Sequence, residues 1–194
     1  MATKDFNKVD EIIAKWRLSK ITSEIDKNDE VLDFGCGHQG YFLKTVEQKI
    51  KSGVGIDYDA PEKSEGKLRF LKFKYVDKLP LENDSFDKVV MLAVLEHINL
   101  DKVEMLFNEF NRVLRKRGKI ILTTPTKLSK PLLELLASFK IINQGEIADH
   151  KKYYDKKDIA KLALKTGFKI VSYKLFQLRL NSVVVLEKVN SSII

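Results

Sequence analysis

Glu30-Val31-Leu32-Asp33-Phe34-Gly35-Cys36-Gly37 is the stretch on which the fold turns. An apolar-rich run reaches an aspartate, and Gly35 and Gly37 follow it. The pattern predicts a buried strand that ends in a tight turn. Glycine serves where φ is positive or where a ligand must approach the backbone closely. Asp33 narrows the choice of ligand. A carboxylate there repels a pyrophosphate and attracts a cationic amino-acid group.

The chain has 194 residues and 44% hydrophobic content. That fits one domain over 1–194 with a substantial core. No run approaches the roughly 20 apolar residues that span a bilayer. Met1-Ala2-Thr3-Lys4-Asp5 lacks the apolar stretch of a signal peptide. A single cysteine, Cys36, excludes an intrachain disulfide framework and suits a reducing compartment. A cytoplasmic location is expected. The formal charge of +8 comes mostly from scattered lysines, such as Lys49, Lys51, Lys72, Lys74, Lys151 and Lys157. No arginine-rich run concentrates it, so it reads as a solvated surface rather than a nucleic-acid patch.

Apolar residues from Phe6 to Ile25 recur at near-helical spacing and predict a leading helix within 1–27, with Trp16 packed in the core. Strands are expected at 30–34, 53–57, 68–76, 86–95 and 119–123. Helices are expected at about 41–49, 101–115, 131–139 and 156–165. Asp155 is a plausible N-cap for the last, and Gly167 its stop. Two final strands, about 168–176 and 181–189, lie close enough to pair as a hairpin. Such alternation gives a parallel α/β sheet covered on both faces. Ligands then bind beyond the carboxyl ends of the strands, where strand order reverses. The residues just after each strand therefore matter most.

Gly35-x-Gly37-x-x-Gly40, with Asp57 downstream, formally matches a dinucleotide fingerprint. Asp33 and the closing hairpin argue against that ligand. At this point the chain resembles the class I S-adenosylmethionine (SAM)-dependent methyltransferases, of the small-molecule, type 11/12-like branch. Val31 to Gly37 looks like their glycine-rich first motif, and Gly55-Ile56-Asp57 like the acidic end of their second strand. Leu79-Pro80-Leu81 with Asp84-Ser85-Phe86-Asp87 looks like the approach to their fourth strand. Val94-Leu95-Glu96-His97-Ile98 is similar to the segment after it. Val113 to Lys119 and Thr123-Thr124-Pro125 resemble the entry to and exit from the fifth.

The resemblance implies a three-layer, Rossmann-like α/β fold. Its sheet would have seven mostly parallel strands and a C-terminal antiparallel hairpin. The cofactor would be SAM, and the product S-adenosylhomocysteine (SAH). Gly35 and Gly37 would pack on the amino-acid part of the cofactor, with Asp33 near it. Asp57 would accept both ribose hydroxyls, since a carboxylate offers two acceptor oxygens. Tyr58 would lie against the adenine, Asp77 would accept from its amino group, and Ala93 would line the other side. Gly40 would permit helix packing. One departure stands out. Only residues 58–67 connect strands two and three, so the usual helix there is a single turn or absent.

Methyl transfer from a sulfonium needs a nucleophile held in line, and a hydroxyl acceptor also needs a general base. His97, after the fourth strand, and His150, in Asp149-His150-Lys151-Lys152-Tyr153-Tyr154, are the candidates; His38 reads as a loop residue. Residues 126–154 form a lid-like insertion whose apolar run around Leu132 to Ile142 could cap an apolar acceptor, be ordinary core, or form a dimer face. No Asn/Asp-Pro-Pro-Tyr/Phe follows strand four, which argues against a nucleic-acid amino methyltransferase. No cysteine or histidine cluster suggests zinc, and the Glu96-His97 pair alone is too little for a metal site. The expectation is methyl transfer to a small-molecule hydroxyl by a monomer or homodimer. A non-catalytic SAM/SAH-binding protein and an NAD-dependent oxidoreductase are the alternatives.

Overall fold

The computed structural model describes residues 16–131 and 149–189. Eight strands form one sheet: β1 (Glu30–Phe34), β2 (Ser52–Asp57), β3 (Lys63–Glu65), β4 (Leu68–Lys72), β5 (Phe86–Leu92), β6 (Leu114–Pro125), β7 (Phe168–Phe176) and β8 (Asn181–Lys188). Their spatial order is β3-β4-β2-β1-β5-β6-β8-β7. The five strands from β4 to β6 run parallel. β8 is antiparallel to β6, and β7 to β8, which gives the expected closing hairpin.

The sheet has one strand more than expected, and the short crossover explains it. No helix lies between β2 and β4. The chain passes the slot that β4 will fill, returns as β3 antiparallel to it, and turns back into β4. The return that a helix ordinarily makes across one face is made here in the plane of the sheet. All three residues of β3 are exposed, and Lys63 pairs with Glu65 at 2.6 Å. A short, charged edge resists pairing with other chains.

Helices α1 (Tyr41–Val46), α2 (Leu100–Val113) and α3 (Lys156–Lys165) cover the two faces. In α2, Val103, Leu106, Phe107, Phe110 and Val113 recur at helical spacing and are all buried. They join Leu32, Phe34, Val89, Met91, Ile120 and Leu122 in one core. The alternate strand residues Val31, Val90 and Ile121 pack with Leu43 and Ile50 near α1 and with Ile21 and Ile25 near the chain start in the other. This is the period-two alternation of a sheet buried on both sides.

α3 begins as expected. Asp155 accepts from the Asp158 amide at 2.8 Å, and Asp158 accepts from the Asp155 amide at 3.2 Å, forming a capping box. α2 ends two residues earlier than its pattern suggests, and β6 starts at once. Arg115 there bonds Asp87 and Glu30, drawing the chain into the sheet ahead of the expected start at 119. Strands four and five in chain order stop short of expectation, at Lys72 and Leu92. Residues 16–21 are helical, but Trp16 is 57% exposed and is not core. The helix expected at 131–139 and most of the lid-like insertion lie outside the described residues.

Candidate functional site

Strand order reverses between β1 and β5, so the site is sought where their carboxyl ends meet. Gly35 and Gly37 both have positive φ there, 84° and 66°. Gly35 is also hemmed in, since a Cβ on it would lie 2.3 Å from Val94 Cγ2 in the turn after β5. A Cβ on Gly37 would meet nothing within 4 Å. The first glycine thus lets the two turns touch, and the second leaves its side open. The third, Gly40, caps α1, and a Cβ on it would overlap the Phe70 ring at 2.1 Å. Its job is packing, as expected.

Asp57 ends β2 and holds this turn together. Its Oδ2 accepts from the Gly37 amide and its Oδ1 from the Asp59 amide, both at 3.0 Å. A carboxylate has about four acceptor positions, so two remain for other donors. Asp33 is 2% exposed on β1. Burial, with the Asp57 carboxylate nearby, pushes its carboxyl up to about 8. Two acids share this corner, and no cation is paired with Asp33 among the described residues. Such a corner is built to receive positive charge.

The remaining expected cofactor residues divide. Ala93 sits in the turn after β5 with φ 55°, held by its amide to Thr123 O at 3.0 Å. Tyr58 follows Asp57 directly and is 46% exposed. Asp77 is exposed, and its carbonyl accepts from the Tyr75 hydroxyl at 3.2 Å. Its carboxylate joins neither Asp33 nor Asp57 through any contact among the described residues. The Leu79-Pro80-Leu81 loop beyond it is clamped to α2. Glu109 accepts from the Leu79 amide at 2.8 Å, and Arg112 donates to the carbonyls of Leu79 and Leu81.

His97 and His150, distant in sequence, meet edge to face with ring centroids 4.8 Å apart. The Lys151 amide donates to the Glu96 carbonyl at 2.7 Å, tying the segment before α3 to the single 3-10 turn Leu95–His97. Burial, with His97 beside it, holds the His150 imidazole down to about 4. Burial lowers His97 as well, against the pull of Asp149. Both rings are therefore neutral near pH 7. Glu96 is the residue that sequence reasoning undervalued. It is 2% exposed, accepts from the Thr124 hydroxyl at 3.0 Å, and is pushed up to about 7 by burial. Its signal was its place between an apolar strand and a histidine. His38 is a loop residue, its Nδ1 3.0 Å from the Asp59 carbonyl oxygen.

This architecture can be set beside known proteins. A methyltransferase domain family matches residues 5–173. The chain belongs to that family. An uncharacterised Methanocaldococcus jannaschii protein is 31% identical over 122 residues, covering 62% of this chain and 52% of its own length. The tRNA U34 carboxymethyltransferase of Nautilia profundicola is 30% identical over 118 residues, covering 57% of this chain and 38% of its own. The chain thus spans about half the length of the curated relatives it matches. Among solved structures, the Burkholderia thailandensis 1,6-didemethyltoxoflavin-N1-methyltransferase, bound to SAH, superposes with a TM-score of 0.69 at 17% identity, covering 94% of this chain and 80% of that one. That likeness is one of fold. A SAM-dependent methyltransferase of Methanosarcina mazei superposes with a TM-score of 0.65 at 21% identity, covering 88% of this chain and 97% of that one, again a likeness of fold. Among the described residues, no helix is long and apolar enough to cross a membrane.

Proposed function

We propose that this chain transfers the methyl group of SAM to a hydroxyl of a small molecule. Asp33 faces the ammonium of the cofactor, and the Gly35–Gly37 turn its amino-acid part. Asp57 takes the ribose hydroxyls with its two remaining acceptor positions. Tyr58 and Asp77 flank the adenine, and Ala93 lines the opposite side. His97 and His150 face the acceptor.

The observation that carries the cofactor half is the buried Asp33 carboxyl beside Asp57 at the switch point. Asp57 would suit the ribose of either cofactor, but Asp33 would repel a dinucleotide pyrophosphate on this turn. The acceptor half rests on two neutral imidazoles at the next strand end. In the transfer, the acceptor O–H gives up its proton and the oxygen bonds to the methyl carbon. The electron pair of the broken C–S bond stays on sulfur, which leaves SAH. A neutral imidazole is suited to take that proton near pH 7. An RNA acceptor is the second reading, favoured by the tRNA-modifying relative and the +8 charge. Radiolabelled SAM offered with small-molecule hydroxyls, amines and bulk tRNA tests both readings.

A further inference from the structure

We propose that Glu96, His97 and His150 form a binding site for one first-row divalent cation. Each offers one ligand atom, and these atoms all lie within 4.8 Å of one another. Ligand atoms on one ion, with bonds of about 2.0–2.2 Å, are at most about 4.4 Å apart. Binding an ion would draw the three side chains closer together.

The surroundings resemble those that orient metal ligands. A metal-bound histidine engages its second ring nitrogen with a carboxylate or another polar group, which fixes the ring. Here the His150 ring is so held, and an Asp149 carboxylate stands close to the His97 ring. His97 Nδ1 lies 3.5 Å from Asp149 Oδ2, and His150 Nδ1 lies 3.0 Å from the Tyr153 hydroxyl. With Nδ1 of His150 engaged, its Nε2 is the nitrogen left for an ion, and closure of Asp149 on His97 Nδ1 would leave Nε2 there too. Thr124 fixes the Glu96 carboxylate from β6, and with the Glu96 amide also bonded to it, part of its roughly four acceptor positions remains. Among the described residues, the positive charges acting on these three are Arg17, on Glu96, and Lys151, which Asp149 holds at 2.8 Å.

Two imidazoles with one carboxylate suit zinc, iron, cobalt or manganese better than magnesium or calcium, which favour all-oxygen shells. Three protein ligands leave coordination positions open, as sites that handle substrate require. The turn that carries Glu96 and His97 begins beside Val94, which lies against the cofactor glycine Gly35. This role rests on the methyl-to-hydroxyl reading above. With an ion bound, neither ring would keep a free nitrogen, so in place of the direct imidazole base described above the acceptor hydroxyl would take an open position on the ion and lose its proton to bulk water. The bound oxygen then bonds to the methyl carbon as the C–S pair returns to sulfur. The ion keeps its charge. His97 and His150 thus promote deprotonation through the ion they hold.

The test is calorimetric titration of untagged, chelator-stripped chain with Zn²⁺ and Mn²⁺. Binding of one equivalent of at least one ion per chain is expected. His97→Ala, His150→Ala and Glu96→Gln should each weaken it at least tenfold, and Asp149→Asn about tenfold. SAH binding by each variant reports that the fold is intact. Wild-type chain that takes up neither ion saturably overturns the site by itself. So does binding that survives all of these substitutions. Metal uptake without hydroxyl methylation leaves the site standing and sinks the acceptor reading. Hydroxyl methylation that persists in chelator overturns the ion's part in deprotonation and leaves the acceptor reading standing.

Discussion

The Gly37 amide donates to Asp57 Oδ2 at 3.0 Å, so the turn that ends β1 is built on the carboxylate that ends β2. One residue shapes the turn and, on the proposed function, would also present acceptors to the cofactor ribose. Asp57→Ala should therefore weaken SAH binding by roughly 1–3 kcal/mol, the cost of leaving hydrogen-bonding groups unpaired. Asp57→Asn, which keeps one acceptor oxygen, should lose less. Calorimetry on the two variants checks the order. Equal affinity to wild type would mean that the ribose is held elsewhere.

Asp33 makes a prediction about pH. Its folded-state carboxyl is raised from 3.8 to about 8, so the native chain holds this proton where the unfolded chain has lost it. The stabilisation is full below pH 4 and disappears as pH rises through about 8. Asp33→Asn removes that loss. Without cofactor, the variant should gain thermal stability relative to wild type as pH goes from 4.5 to 8, while binding SAH more weakly. A stability difference that ignores pH would contradict the assignment.

The two turn glycines should separate under substitution. Gly35→Ala drives a Cβ into Val94 at a φ that alanine avoids. Overpacking and backbone strain together should cost about 2–4 kcal/mol of stability. Gly37→Ala carries only the backbone term, about 1 kcal/mol, but its methyl enters the space assigned to the cofactor. Thermal melts should rank Gly35→Ala as the less stable variant. Gly37→Ala should show the larger loss of SAH affinity per degree of melting temperature lost.

Packing at the sheet centre yields a plainer number. Phe110 is fully buried and meets Phe34 edge to face at 5.4 Å, directly beneath the strand that carries Asp33. Phe110→Ala should cost about 3–5 kcal/mol, measured by urea unfolding. A loss below 1 kcal/mol would show that α2 does not anchor this strand.

Much of this arrangement was legible in the sequence because strand ends announce themselves. Asp33, Gly35 and Gly37 follow one apolar run, Asp57 ends another, and Asp155 stands three residues before Asp158 at a helix start. What was hidden depended on partners. Three polar residues, Lys63, Ser64 and Glu65, carry no periodicity, so β3 is visible only once β4 lies beside it. The end of α2 was misplaced because Arg115 has reasons to leave a helix only when Asp87 and Glu30 are in reach. Glu96 looked like a lone acid until folding buried it and brought His150 to His97. The exposure of Trp16 likewise follows from packing rather than from its spacing.

Methyl transfer to a hydroxyl can be read directly. The chain, supplied with methyl-labelled SAM and a metal, would be offered a panel of small-molecule hydroxyls, matched amines and bulk tRNA, and the labelled products identified by mass spectrometry. The account predicts label on oxygen in a small molecule, with transfer falling about 10²–10⁴-fold in His97→Ala. Label confined to RNA, or to nitrogen, would contradict it.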